Sequence, residues 1–213
     1  MIRRPHYYPV NRDGLVLWLS SRLTGAVAAS GTWGDYSGIA ADATLAVNAY
    51  VDGSGVNLDG SSYASGSDAA FPTADGEKTI SFWANPTSFD SYRIAFWYGT
   101  AGTGQALGVG TSGSNWYATQ EGSVMCSAAA ASGVWTNIVV TYDSVNEYLL
   151  YKNGAFAASG SAYTDTTPGG TFYVGRQYSV GSYYWVGLLD DIQLFSRALS
   201  AGEIAQNYQR CLR

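Results

Sequence analysis

From Leu15 to Phe195 the chain advances in short apolar runs, each closed by Gly, Asn, Asp, Ser or Pro, at intervals of roughly ten residues. LVLWLS, KTISFWANP, YRIAFWYG, QALGVGT, NWYATQ, VWTNIVVTYD, YLLYKNGAFAAS, TFYVGRQ and VGLLDDIQLF follow one another, with no helical periodicity before residue 199. In KTISFWANP, Ile80, Phe82 and Ala84 alternate with Thr79, Ser81, Trp83 and Asn85 until Pro86 ends the run. LVLWLS is apolar almost throughout, which implies cover on both faces. GVNLDGSSYASG is expected to be a hairpin turning at Asp59-Gly60, and YLLYKNGAFAAS one turning at Asn153-Gly154. About a dozen short strands without a linker or internal repeat predict one all-β domain over residues 13–213, a two-sheet antiparallel sandwich, after an arm of residues 1–12.

One helix is expected at the end. Ser200 suits an N-cap, Glu203 completes a capping box, and Ile204 and Tyr208 fall on one face.

Composition narrows the function classes. Only 13% of residues are charged, while aromatics reach 15% and there are 26 glycines, which suits short strands and tight turns. The net charge of −5 excludes nucleic acid as a partner, since phosphate binding needs clustered Lys and Arg and the one basic cluster is Arg3-Arg4. MIRRPHYYPVNRDG lacks the apolar core of a signal peptide, and no run approaches the ~20 apolar residues of a membrane span. Synthesis in a cytoplasm without ordinary secretion is therefore expected. Cys126 and Cys211 do not make a disulfide scaffold; free thiols are favoured over a bridge. With His6 as the single histidine, Cys/His zinc sites and Ser-His or Cys-His nucleophiles are not expected.

SGVWTNIVVTYDSVNEYLLYKNG, FYVGRQ and WVGLLDDIQLFSRALSAGEIAQNY together resemble the laminin-G-like branch of the concanavalin A-like lectin/glucanase superfamily. GLVLWL, DYSG, VNLDGSSYAS and KTISFWANPTS resemble its opening strands, so the resemblance runs from about residue 14 to 208. It implies a concanavalin A-like jelly roll with a short C-terminal helix. It also implies a calcium ion held by Asp190 together with Asp35 of the DYSG loop. The alternative is that Asp190 accepts backbone N–H bonds and Asp35 makes an Asx-turn before Gly38. Strand alternation places Asp190 with Ile192 and Leu194 at the core-side mouth, and Asp191 with Gln193 toward solvent.

Glycanases of that superfamily carry closely spaced acids along one strand. Here Glu77, Glu121, Glu147 and Glu203 are scattered, and Asp143 with Glu147 flanks a turn. No glycine-rich loop carries a phosphate-binding lysine. The expectation is a protein that is not an enzyme. Two roles fit it. In the first, loop aromatics bind cell-surface glycans: Trp116 and Tyr117 of GSNWYATQ, and Tyr183 and Tyr184 of GSYYWVG, with Trp185 assigned to the core. In the second, the chain is a structural phage virion protein, a capsid decoration or fibre component at the virion surface. The arm would then dock on capsid or tail proteins through Arg3, Arg4, Tyr7 and Tyr8; multiple copies suggest a homo-oligomer, which nothing in the sequence fixes. A secreted carbohydrate-binding or adhesion module is the alternative.

Overall fold

The computed structural model describes residues 12–89, 92–100, 105–120, 123–143, 145, 147–161, 169–178 and 183–211. In chain order the elements are β1 (Leu15–Leu19), α1 (Ser21–Thr24), β2 (Thr32–Trp33), β3 (Ala43–Leu45), β4 (Tyr50–Asp52), β5 (Gly55–Asp59), β6 (Ala64–Gly66) and β7 (Lys78–Pro86). They continue with β8 (Arg93–Gly99), β9 (Ala106–Ser112), β10 (Asn115–Gln120), β11 (Ser123–Ala129) and β12 (Thr136–Tyr142). The series ends with β13 (Glu147–Lys152), β14 (Ala155–Ser161), β15 (Phe172–Val174), β16 (Val186–Phe195) and α2 (Ala201–Cys211).

Two antiparallel sheets of eight strands result. The first runs β14-β13-β12-β7-β16-β5-β4, with β1 also paired to β16. The second runs β11-β10-β9-β8-β15-β6-β3-β2. The alternation of β7 sends Ile80, Phe82 and Ala84 into the core between the sheets. Its other side turns Trp83 outward against Trp135 and Tyr208. The expected sandwich with a terminal helix is the observed architecture.

The two glycine turns behave differently. Asn153 (φ 53) and Gly154 (φ 77) close the β13–β14 hairpin, with Lys152 paired to Ala155, as the dipeptide predicts. Asp59-Gly60 does not make a hairpin. β5 belongs to the first sheet and β6 to the second, so the turn is a corner that carries the chain across the sandwich. Leu58 and Ala64 on either side both enter the core, which requires that crossing. The corner is closed locally: Asp59 Oδ1 accepts from the Ser61 N–H, and Ser62 Oγ accepts from the Asp59 N–H.

α2 covers the outer face of the first sheet. Leu199 and Ile204 pack with Leu15, Trp18, Val139, Tyr151 and Phe195. Tyr208 stacks on Trp83 with ring centroids 5.8 Å apart. Its start is fixed by a reciprocal capping box: Glu203 N–H donates to Ser200 Oγ, and Ser200 N–H to Glu203 Oε2. Arg197 grips the same carboxylate at 2.7 Å. The Arg197 pairing, with the Ser200 bonds, holds the Glu203 carboxyl down to about 2. Among the described residues, both helices pack mainly on strands of the first sheet, and neither is long and apolar enough to cross a membrane. The docking residues expected in the arm, Arg3, Arg4, Tyr7 and Tyr8, lie outside the described residues.

Candidate ligand-binding face

The outer face of the second sheet is left to its own side chains, and these are mostly aromatic. One cross-strand row places Tyr173 of β15 beside Trp97 of β8, then Gly108 of β9 and Thr119 of β10. The next row places Ile94 of β8 beside Gly110 of β9 and Tyr117 of β10. Residues directly opposite on paired strands share a face. The glycines make room for the rings: a Cβ at Gly108 would lie 2.6 Å from the Trp97 ring, and one at Gly110 would strike the Arg93 carbonyl.

Two aromatic groups stand on this floor. In the first, Tyr117 is 3% exposed and meets Tyr92 edge-on at 5.3 Å; Tyr92 meets Tyr183 edge-on at 5.9 Å. Tyr92 and Tyr183 are each 46% exposed and form the rim. Tyr183 sits at φ 59, anchored where its carbonyl accepts from the Ile94 N–H at 2.9 Å. Burial first, and the nearby Tyr92 and Tyr183, push the Tyr117 hydroxyl far above its ordinary pKa, so it remains a neutral donor and acceptor. In the second group, Tyr63, Tyr173 and Tyr184 surround Arg176, which is 7% exposed. Arg93 Nη1 donates to the Tyr184 carbonyl and links the two groups.

The structure therefore brings Tyr117, Tyr183 and Tyr184 to one face, with Tyr117 as floor and not as an exposed loop residue. Trp116 does not belong with them. It is fully buried between the sheets, stacked on Trp185 at 5.8 Å, because alternation along β10 turns it inward when Tyr117 turns outward. Trp185 is core, as expected. Tyr63, Tyr92, Trp97, Tyr173 and Arg176 were not singled out from sequence. For Trp97 the signal is masked by a bulge in β8 between Ile94 and Phe96, which puts Ile94 and Trp97 on one side.

The paired aspartates lie on the other sheet, where β16 changes partner along one edge. Val186–Leu189 pair with β5, while Ile192–Phe195 pair with β1. In the gap, Asp190 accepts from the Ser21 N–H and the Ser21 hydroxyl, each at 2.9 Å, and so satisfies a backbone donor that has left the ladder. Asp191 has φ 47 and marks a bulge, so alternation fails here. Asp190 lies opposite the outward-facing Trp83 and does not share a face with Ile192 and Leu194. Asp191 is 6% exposed instead of solvated; with Gln193, Asn137 and Ser81 it lines a cavity of about 10 Å³. Burial first, then the charge of Asp191, raises the Asp190 carboxyl well above the usual range.

Asp35 makes the expected Asx-turn. Its Oδ1 accepts from the Ser37 and Trp18 N–H groups, and its Oδ2 from the Ser37 hydroxyl. This donor set does not fit a calcium ion shared by Asp35 and Asp190. Each carboxylate is filled by its own serine, Asp190 is 1% exposed, and among the described residues no three His, Cys, Asp or Glu side chains group around a metal position. Cys126 is a buried free thiol, raised to about 11 by burial.

Residues 58–205 match the profile of a family described as the concanavalin A-like lectin/glucanases superfamily. No curated protein matches the chain in sequence. Among solved structures, the chain is similar to domain 4 of AbnA, an extracellular GH43 arabinanase from Geobacillus stearothermophilus, in complex with arabinotriose. The identity is 17% and the TM-score 0.62, with 92% of this chain and 98% of that one covered. Trypanosoma rangeli sialidase in complex with sialic acid gives 18% identity and a TM-score of 0.69, over 96% of this chain and 35% of that one. An HCR/D mutant gives 15% identity and a TM-score of 0.69, over 93% and 52%. The chain thus spans the whole arabinanase domain, about a third of the sialidase chain and about half of the HCR/D chain. At these identities the likeness is one of fold. It corrects the expectation that the protein is not an enzyme: chains that share this fold include glycoside hydrolases, and the fold is an enzyme-related one.

Proposed function

Since the chain belongs to the concanavalin A-like lectin/glucanase superfamily, we propose that it is a carbohydrate-binding domain whose ligand lies across the aromatic face of the second sheet. The observation that carries this reading is the pair of half-exposed rings, Tyr92 and Tyr183, standing over the buried Tyr117 on the sheet opposite the one the described helices mainly pack on. Sugar rings present C–H faces that pack on aromatic rings and hydroxyls that bond to phenols. A mostly apolar aromatic surface with a few fixed polar groups suits both needs. The arabinotriose complex of an arabinanase domain of the same fold supports the reading.

Affinity electrophoresis of the full chain through arabinan, galactan and sialoglycan gels tests it. Tyr92→Ala and Tyr183→Ala should each weaken retardation about tenfold while moving stability by no more than about 0.5 kcal/mol, because both rings are exposed. Unchanged retardation in both variants, or none in the parent chain, would sink it.

In this reading the domain is displayed on a phage virion, docked to capsid or tail proteins through residues 1–12; a secreted adhesion module is the competing placement. The basic and aromatic content of that arm supports docking. A chain lacking residues 1–12 should bind glycans normally yet fail to bind phage shells stripped of it. Equal shell binding by both forms would remove the docking role.

A further inference from the structure

Gly175 turns the chain after β15 at φ 89, where a side chain would collide with Leu58. This turn lays Arg176 back over the outer face of the second sheet. Its guanidinium carbon lies 4.0 Å from the Tyr63 ring centroid and 4.4 Å from that of Tyr173. The phenol oxygens of Tyr184 and Tyr173 accept from it, while Nε has no partner. No carboxylate among the described residues pairs with this cation.

A permanently charged side chain this deeply buried is costly unless an anion compensates it. Two aromatic rings offset part of that cost. A methionine or leucine could separate the two rings without any such cost, so spacing alone does not account for an arginine. What the guanidinium retains is a planar fork of N–H donors, two positions of which serve phenols, and a charge that nothing described neutralises. That fork matches a carboxylate.

Building on the carbohydrate-binding reading, we infer that the aromatic face selects acidic sugars, with Arg176 receiving the sugar carboxylate while Tyr92 and Tyr183 carry the ring stacking. Sialic and uronic acids share this chemistry. Among the residues on this face Arg176 sets specificity, and the tyrosines set affinity.

The test is titration calorimetry of the full chain with four probes: 3′-sialyllactose, lactose, trigalacturonate and its methyl ester. The acidic member of at least one pair should bind about tenfold more tightly than its neutral counterpart. The preference should shrink as salt rises. Arg176→Met should abolish the preference, so that acidic and neutral probes bind alike, and Arg176→Lys should restore part of it. The pair that shows the preference distinguishes the two acid classes. Equal binding of acidic and neutral probes overturns the inference and leaves the carbohydrate reading standing, as does a preference that survives in Arg176→Met. No binding of any probe overturns both. Should Arg176→Met fail to fold, Arg176→Lys and the salt series decide: a preference indifferent to both overturns the inference.

Discussion

Replacing Trp116 with alanine lowers the unfolding free energy by about 4 kcal/mol, read as a shift of the guanidinium midpoint with an unchanged slope. The residue is fully buried, its ring stacked on Trp185 at 5.8 Å and inclined to Phe82 at 6.3 Å. These rings sit where β10 of one sheet faces β7 of the other, so alanine leaves a cavity spanning both layers. The indole Nε1 has no hydrogen-bond partner, so packing and ring contact account for the loss. Trp116→Phe, which keeps a ring in the same space, should cost about half as much or less. A midpoint that does not move in Trp116→Ala would place the ring outside the core and return it to the list of exposed sugar-stacking residues.

The second large effect belongs to Asp190. Alanine there strands the buried Ser21 N–H and opens a small cavity, for a loss of roughly 3 kcal/mol. Asparagine keeps an acceptor for that N–H and offers its own amide to the Ser21 hydroxyl, so it should be far milder. Either substitution also removes a titrating group, so the parent protein and Asp190→Asn differ in pH dependence. The native carboxyl titrates above its ordinary value of 3.8, so the folded state holds the proton more tightly than the unfolded chain does. Its contribution to stability is fully present below 3.8 and is lost as pH rises through the raised native value. Between about pH 4 and about pH 8 the parent protein should therefore lose stability relative to Asp190→Asn, and the two curves should converge at the acid end. Parallel curves across that range would show that Asp190 titrates normally.

Sequence patterning reached the architecture because apolar alternation and turn dipeptides are local. The Asn153-Gly154 hairpin and the Ser200–Glu203 capping box are formed within a few residues, and both stand as read. Asp59-Gly60 was misread because a corner and a hairpin use the same turn chemistry; which sheet each flanking strand joins is decided by partners far along the chain. Asp190 and Asp191 were misplaced for a related reason. A bulge shifts alternation by one, and nothing in LLDDIQ announces it. The candidate site was half legible: Tyr117, Tyr183 and Tyr184 were noticed as clustered rings, but Trp116 next door points the opposite way. Arg176 reaches Tyr63 only through the pairing of β15 with β6, which brings together residues more than a hundred positions apart.

The strand that changes partner also dictates when the molecule can become itself. β16 bridges β7 on one side and both β5 and β1 on the other, so it occupies the middle of the first sheet. Yet fifteen of the described strands precede it in the chain. During synthesis β1 emerges early with no ladder to join, and β5 and β7 wait with open edges toward each other. The keystone arrives almost last, and until it does this half of the sandwich is a template for unwanted pairing with other nascent chains. A domain built this way is completed in one late step, and its yield in a cell depends on keeping those edges apart until Phe195 has left the ribosome.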